Sequence, residues 1–143
     1  MMTCAICNKK QARAVKRPYS ARYNRIPVKL QNVEMYECGQ CGERFLTPEQ
    51  ARRLTVRVKA TAREKLGLLP PDRIVEVRKH YGLTQTDLER LLGLGPKVIT
   101  RWEKGKVLQT RPVDDLLRLM RVLPDVYEKL KEIRRQGSFS RTR

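Results

Sequence analysis

Hydrophobic and polar positions follow two different rhythms along this chain. Between residues 26 and 38 (IPVKLQNVEMYEC) apolar residues occupy alternate positions, and the alternation slips at Gln31 and Asn32. A period of two predicts a strand with one buried face, and the slip predicts a bulge or loop within it. From residue 51 onward, apolar residues recur every three or four positions, which is typical of amphipathic helices. The pattern therefore predicts a small β-structure followed by helices, an α+β fold.

The first helix has well-marked ends. Thr47 suits the N-cap, Pro48 the first helical position, and Gln50 the third position of a capping box. The apolar stripe that follows consists of Ala51, Leu54, Val58, Ala62 and Leu66. Gly67 is expected to end the helix.

Two prolines, Pro70 and Pro71, follow this helix and cannot continue it. We therefore predict a domain boundary near residue 69, with one domain over 1–69 and a second over 70–143. The last ten residues of the chain (RRQGSFSRTR) have almost nothing to bury, and we predict that they form a disordered basic tail.

The second domain begins as short helices separated by glycines and prolines. The first predicted helix lies in PDRIVEVRKHYG, with Gly82 as its stop. The next begins after Thr84, a suitable N-cap, with Asp87 at its third position and Leu88, Leu91 and Leu92 as its buried stripe. The glycine-rich segment GLG then predicts the turn of a helix-turn-helix.

The helix after this turn (GPKVITRWEKG) separates into two faces. Pro96 suits its first turn and Gly105 a left-handed cap at its end. Its apolar face carries Val98, Ile99 and Trp102, so we place Trp102 in the core rather than on a nucleic-acid base. The opposite, polar and cationic face consists of Lys97, Thr100, Arg101 and Lys104. Such a face is often only solvated, but the preceding helix and turn favour a helix that reads DNA bases in the major groove.

Other residues are placed to contact the DNA backbone. Thr84 and Gln85 open the second helix, whose exposed N–H groups suit a phosphate, and Lys104 and Lys106 can reach the backbone beside the groove. Two further helices follow Pro112 and Pro124. Their apolar residues either form a dimer seam or close a five-helix core: Leu116, Leu119, Met120, Val126, Tyr127, Leu130 and Ile133.

The charge of the chain points to a polyanionic partner. Its net charge is +17, from 32 Lys and Arg against 15 Asp and Glu. Both halves are basic, which favours nucleic acid, although cations in the first domain also suit an acidic protein. No run approaches the roughly 18 apolar residues of a membrane span, and the N-terminus lacks a secretory signal. We therefore expect a cytoplasmic protein with reduced thiols and no membrane partner.

The four cysteines form two C-x2-C pairs, Cys4 with Cys7 and Cys38 with Cys41. This spacing predicts one structural Zn²⁺ bound by four thiolates, with no open position for catalysis. Two disulfides or a thioredoxin-like redox pair are the alternatives. The single histidine, His80, has no nucleophile or acid at a catalytic spacing, and no Gly-rich phosphate loop occurs. We therefore expect that the protein is not an enzyme.

Two segments resemble known families. LTQTDLERLLGLGPKVITRWEKG resembles the Xre/Cro-type helix-turn-helix, and residues 1–46, with YECGQCGERF, resemble the YgiT-type zinc finger. Together, in this order, they resemble MqsA-family antitoxins over nearly the whole chain. The resemblance implies a small N-terminal zinc-binding β-domain with a helix, joined to an all-α, five-helix Xre/Cro-type domain.

The resemblance also implies two functions. The zinc domain would neutralise a small RNA-cleaving toxin, and the C-terminal domain would form a homodimer that represses its own operon at a palindromic operator on double-stranded DNA. The family pattern has an Asn and, four residues later, an Arg as base-reading residues. Arg101 matches the Arg, whereas Lys97 stands where the pattern has Asn, so we expect a different operator.

Three functional interpretations follow: an antitoxin that is also an autorepressor, a stand-alone zinc-finger and helix-turn-helix regulator without a toxin partner, and a bridging cofactor of the transcription machinery. A toxin partner distinguishes the first from the other two.

Overall fold

The computed structural model describes residues 1–137, which form three strands followed by six helices. The strands are β1 (Ala12–Tyr23), β2 (Ile26–Cys38) and β3 (Arg44–Phe45). The helices are α1 (Pro48–Lys65), α2 (Pro71–His80), α3 (Gln85–Leu92), α4 (Val98–Glu103), α5 (Arg111–Val122) and α6 (Pro124–Arg135). This order confirms the predicted α+β class. Within the described residues, every helix is too short or too polar to cross a lipid bilayer.

The predicted basic tail is partly wrong. Arg134 and Arg135 belong to the last turn of α6, where cations interact favourably with the helix dipole. Residues 138–143 lie outside the described residues.

The sheet is antiparallel, with strand order β1-β2-β3. A two-residue turn joins β1 to β2, and both of its residues, Asn24 and Arg25, have positive φ angles of 48° and 69°. A turn with this backbone twists in the same sense as the two strands it joins, which is why hairpins favour it. The sequence pattern indicated a strand at β2 but did not indicate β1, whose side chains are mostly charged or small.

A bulge lies in the middle of the hairpin, where the alternation of β2 slips. The register shifts at Pro18, which faces both Gln31 and Asn32, and Asn32 has a φ of 54°. Proline has no N–H for the ladder, so a bulge is a suitable place for it. The extra residue returns both apolar runs of β2 to one side, and all four of their residues are buried: Val28, Leu30, Val33 and Met35. The bulge predicted from the slip in the alternation is thereby confirmed.

Helix α1 begins as the sequence predicts. The Thr47 N–H donates to Gln50 Oε1 at 2.9 Å, and the Gln50 N–H donates to Thr47 Oγ1 at 3.2 Å, which completes the capping box. Of the predicted stripe, Leu54, Val58 and Ala62 are buried. Leu66 lies beyond the end of the helix and is 38% exposed, because the chain turns away after Lys65.

The chain divides into two compact units, residues 1–62 and residues 63–143. This division falls inside α1, ahead of the boundary near residue 69 that the prolines indicated. The difference has a physical reason: Leu69 is buried in the core of the second unit, and its N–H donates to Asp114 Oδ1 at 2.8 Å. The segment before the prolines therefore packs with the helices that follow it.

The second unit has a single apolar core among its five helices α2–α6. Its buried members are Leu69, Ile74, Val77, Leu88, Leu91, Ile99, Trp102, Leu117 and Met120. The placement of Trp102 in the core is thus confirmed. Leu119 and Ile133, which the periodicity placed on apolar faces, are 44% and 56% exposed, so part of each face is left uncovered within the unit.

Asp114, in the first turn of α5, is a fully buried acid. Its carboxylate accepts hydrogen bonds from the Leu69 N–H, from Gln109 Nε2 at 3.0 Å and from Arg118 Nε at 2.8 Å. Burial raises the pKa of Asp114, but these donors more than offset that effect, and the net pKa lies below the ordinary value. Asp114 therefore links the segment before α2 to the first turn of α5 by a hydrogen bond.

Candidate functional site

The four cysteines converge at one end of the first unit. Their Sγ atoms all lie within 4.8 Å of one another, with Cys4 and Cys41 3.7 Å apart and Cys7 and Cys38 3.6 Å apart. A tetrahedral zinc ion with bonds of about 2.3 Å would separate its sulfur ligands by roughly 3.8 Å. A disulfide needs about 2.05 Å, and all four cysteines are free. The spacing therefore fits a shared metal ion and not disulfides.

Each C-x2-C pair is held by the same backbone arrangement. The Asn8 N–H donates to the Cys4 carbonyl, and the Gly42 N–H donates to the Cys38 carbonyl, both at 2.9 Å. Asn8 and Gly42 both have positive φ angles, 55° and 73°, which Gly and Asn tolerate better than other residues. Two tight loops thus present two thiols each to one point.

The backbone of the second loop also favours the metal-binding form of a thiol. The N–H groups of Cys41 and then Gln40 lower the pKa of Cys38 to about 7, and the Gln40 N–H lies 3.4 Å from Cys38 Sγ. The Glu43 N–H acts in the same direction on Cys41, but burial and the neighbouring thiols outweigh it and raise the pKa of Cys41 to about 12, so the cluster keeps protons on some thiols until a cation displaces them. A thiolate, not a thiol, is the ligand for a metal ion. The four cysteines can therefore hold a metal ion, as their spacing in the sequence predicted.

The candidate reading helix α4 begins later than the sequence analysis expected. It starts at Val98 rather than at Pro96, and Lys97 is its N-cap, with a left-handed φ of 64°. The turn after α3 accordingly runs over 93–97 and is longer than GLG. Pro96 lies in this turn, and the left-handed backbone at Lys97 redirects the chain before the helix begins. Lys97 therefore precedes α4 instead of lying on its face, which corrects the predicted grouping.

A residue of the preceding helix caps α4. Lys97 makes no side-chain cap, whereas Glu89 Oε1 accepts a hydrogen bond from the Ile99 N–H at 3.2 Å. Glu89 is buried, so α3 fixes the start of α4 directly. The sequence analysis missed this contact. The available signal was a glutamate inside the apolar stripe of α3, before a helix with no Ser, Thr, Asp or Asn at its start.

The end of α4 is closed as predicted. Gly105 has a φ of 67°, its N–H donates to the Trp102 carbonyl, and the Lys106 N–H donates to the Arg101 carbonyl. These two bonds form a Schellman motif. Lys106 is therefore the first residue past the left-handed cap, and it is exposed.

A partly buried ion pair between α2 and α4 is extended to α3 by a glutamine. The Arg78 guanidinium donates twice to Glu103, at 2.6 and 3.1 Å, and Gln85 Nε2 donates to the same carboxylate at 2.7 Å. Gln85 Oε1 in turn accepts from the Thr100 hydroxyl at 2.8 Å. Two of the predicted DNA contacts, Gln85 and Thr100, are thus brought together and held in one orientation. The sequence analysis missed the roles of Arg78 and Glu103.

The remaining predicted contacts are exposed. The structure leaves the side chains of Lys97, Arg101 and Lys104 without a hydrogen bond or ion pair to any residue among 1–137. Thr84 caps α3: its hydroxyl accepts from the Asp87 N–H at 3.1 Å. The N–H and hydroxyl of Thr84 also lower the pKa of Asp87. Lys97, Arg101 and Lys104 are therefore placed to meet an external anion.

Two comparisons with known proteins cover both units. The model of a family described as the antitoxin component of bacterial toxin-antitoxin system, MqsA, matches residues 2–134. The chain is 30% identical over 136 residues to Antitoxin MqsA of Escherichia coli (strain K12), a match that covers 93% of this chain and 100% of that relative. The family match includes the four cysteines and helices α1–α5, and it ends within α6.

Proposed function

The chain belongs to the MqsA family of antitoxins from bacterial toxin-antitoxin systems, and from that premise we propose a division of labour between its two units. The first, stabilised by one zinc ion, neutralises a small RNA-cleaving toxin. The second binds an operator and represses the operon that encodes the pair. The observation that carries the DNA-binding part is the exposed cationic surface at α4. Hydrogen bonds that join Thr100 and Glu103 of α4 to residues of α3 and α2 hold this helix in one orientation.

The metal site is structural in this proposal. Cys4, Cys7, Cys38 and Cys41 would hold Zn²⁺ with four sulfur ligands, which leaves no position for a substrate. When bound, the ion supplies cross-linking energy to a unit of only 62 residues, a size at which a single apolar core is marginal. This role agrees with a regulatory protein rather than an enzyme.

DNA reading depends on α4 entering the major groove. Arg101 projects from the exposed side and can donate two hydrogen bonds to the O6 and N7 of a guanine. Lys97, at the N-cap, reaches either a guanine edge or a phosphate. Thr84 and Gln85 at the start of α3, together with Lys104 and Lys106 after α4, supply phosphate contacts.

A palindromic operator requires a two-fold symmetric protein. We place the homodimer seam on the uncovered apolar face at the end of α5, where Leu119, Val122 and Leu123 are 44%, 68% and 51% exposed. A second copy covering this face would bury hydrocarbon that the unit itself leaves in water. Two reading helices would then bind half-sites roughly 34 Å apart.

Toxin neutralisation fits the outer edge of the sheet. β1 pairs along its length with β2 on one side, and on its other side the described residues contribute only the isolated bridge between Met2 and Ala12. The backbone groups of an open edge can pair with a strand from a partner. The two units would then serve different partners through separate surfaces.

Co-expression tests toxin neutralisation. The open reading frame adjacent to this gene is expressed alone and with this protein, and we expect growth arrest that co-expression relieves. Cys38→Ala together with Cys41→Ala should abolish the relief, whereas Arg101→Ala should retain it. If the adjacent reading frame is not toxic, the protein is better described as a stand-alone regulator without a toxin partner. DNA binding by the second unit is tested by a separate experiment.

Operator binding tests the second unit. We expect Arg101→Ala to weaken binding to the promoter of its own operon by roughly 1–3 kcal/mol and to relax base preference at one position in each half-site. The matched control, Lys104→Ala, should weaken binding to all sequences alike. If Arg101→Ala also weakened all sequences equally, Arg101 would be a phosphate contact.

A further inference from the structure

A surface cavity of about 430 Å³ lies between α3 and α6 in the second unit. Its apolar part is formed by Leu83, Leu91 and the ring of Tyr127. The volume falls within the roughly 300–1,000 Å³ that is usual for pockets that bind small molecules. Hydrocarbon exposed in a concave site suits the apolar body of such a ligand.

Cations dominate the rest of the lining. The four basic residues are Arg90, Lys131, Arg134 and Arg135. Asp87 is the one acid among the lining residues that the structure describes, and its carboxylate already accepts the Thr84 N–H at 3.0 Å in the cap of α3. The mouth of the cavity therefore carries positive charge that its own lining does not neutralise.

Two of these cations are already oriented. Arg134 Nε donates to the Leu91 carbonyl at 2.9 Å, which leaves its terminal nitrogens available. Lys131 Nζ lies 4.4 Å from the centre of the Tyr127 ring and 3.0 Å from Glu128 Oε1. An anion entering the cavity would meet donors that have already lost much of their freedom.

The cavity and the surface assigned to DNA lie on different sides of α3 and adjoin only at its first turn, where Thr84 and Asp87 form the cap. Gln85 and Glu89 hydrogen-bond to residues of α4, so this side of α3 faces the reading helix. At about 100° per residue, Asp87 and Leu91 lie roughly 200° and 240° around the helix from Gln85. A duplex lying against α4 would therefore leave the cavity open.

We propose that this cavity binds a small organic anion with an aromatic or aliphatic body. Its acidic group is held by Arg90, Arg134 and Arg135, and its body lies on the apolar part of the cavity. The site requires neither a toxin nor an operator, so it stands apart from the proposed function. Charge complementarity selects an anion over a neutral or cationic ligand.

A pair of fluorescent probes tests the proposal: 8-anilinonaphthalene-1-sulfonate and its neutral relative N-phenyl-1-naphthylamine, which share one ring framework. The full chain should bind the sulfonate at one site, and the neutral probe at least about tenfold more weakly. Amide shifts in a two-dimensional NMR spectrum should centre on α3 and α6. Equal binding of both probes, or shifts centred elsewhere, would overturn the proposal.

Charge-reversal variants separate the site from the high net charge of the chain. Arg90→Glu with Arg135→Glu should raise the dissociation constant of the sulfonate about tenfold or more. Arg22→Glu with Lys29→Glu makes the same change in net charge on the exposed hairpin and should leave it nearly unchanged. Equal weakening by both pairs would mean that the probe responds only to net charge. The milder Arg90→Gln with Arg135→Gln should act in the same direction if the reversed pair does not fold.

Discussion

The ion pair between Arg78 and Glu103 provides a quantitative test of how the second unit is held together. The two side chains are 14% and 6% exposed. Glu103→Ala would leave the mostly buried Arg78 guanidinium without a carboxylate, and removing one partner of a fully buried pair costs about 3–5 kcal/mol, an upper range for this partly buried one. The Leu83 carbonyl still accepts a hydrogen bond from Arg78 Nη1 at 2.9 Å. We therefore expect the lost carboxylate to lower the free energy of unfolding by about 3 kcal/mol, the low end of that range. Loss of the Gln85 bond adds roughly 1 kcal/mol. The total, about 4 kcal/mol, is a large part of the 5–15 kcal/mol that stabilises an ordinary domain.

A double-mutant cycle isolates the pair. Arg78→Ala should cost about 3 kcal/mol, and the double variant about 4 rather than the sum of roughly 7, because neither charge is then left alone. Urea unfolding followed by the fluorescence of Trp102, the one tryptophan of the chain, reports on this unit directly. If Glu103→Ala does not fold, Glu103→Gln can replace it in the cycle, with smaller changes in the free energy of unfolding.

The matched control lies on the same helix. Arg73 and Glu76 form an exposed pair at 2.8 Å, and removing either should change the free energy of unfolding by less than about 1 kcal/mol. Coupling between Arg78 and Glu103 below about 0.5 kcal/mol would refute the reasoning, since independent sites add to within that margin.

Three further predictions concern the metal, salt and pH. A strong chelator should unfold the first unit and leave operator binding by the second intact; an unchanged thermal transition would rule out a structural metal. Operator affinity should fall steeply with salt, with a slope on logarithmic axes that grows by about 0.9 for each phosphate neutralised, whereas a flat response would assign the charge another role. The pKa of Asp114 is lower in the folded state than its ordinary value. The stability that the ionised carboxylate contributes is therefore fully present above the ordinary pKa of about 3.9, and it is lost as the pH falls through the folded-state pKa. In Asp114→Asn the free energy of unfolding should therefore depend less steeply on pH at acid pH than in the unsubstituted protein. An unchanged pH dependence would contradict the role assigned to Asp114.

Local periodicity and capping predicted most of the elements. The slip in β2, the capping box of α1 and the glycine stop of α4 each depend on residues close together in sequence, and each was found. The geometry within each C-x2-C pair is local too. That the two distant pairs meet was predictable for another reason, because four thiolates complete one tetrahedral metal site.

What escaped prediction depends on contacts between distant residues. A glutamate inside the apolar stripe of α3 hinted at a buried role, but not that Glu89 caps a helix ten residues away. Asp114 looks like a helix-dipole residue until Leu69 is known to lie beside it. The left-handed backbone at Lys97 was missed because proline in the preceding position suggested a helix start. Exposure of Leu119 could not be distinguished from burial, since helical periodicity is the same for a core and for a seam between two copies.

The separation between buried and exposed residues at α4 has a consequence for how such regulators diverge. Ile99 and Trp102 hold the helix in the core, whereas the side chains of Lys97 and Arg101 make no hydrogen bond or ion pair with residues 1–137. Replacing Arg101, or replacing Lys97 by a residue that tolerates its φ of 64°, should therefore cost the fold little. On the proposed DNA-binding function, a gene copy could thus acquire a new operator through one or two substitutions without first losing a stable protein. The Lys at position 97, where the family pattern has Asn, is the kind of change this arrangement permits. Related systems in one cell could in this way become insulated from each other while keeping the same scaffold.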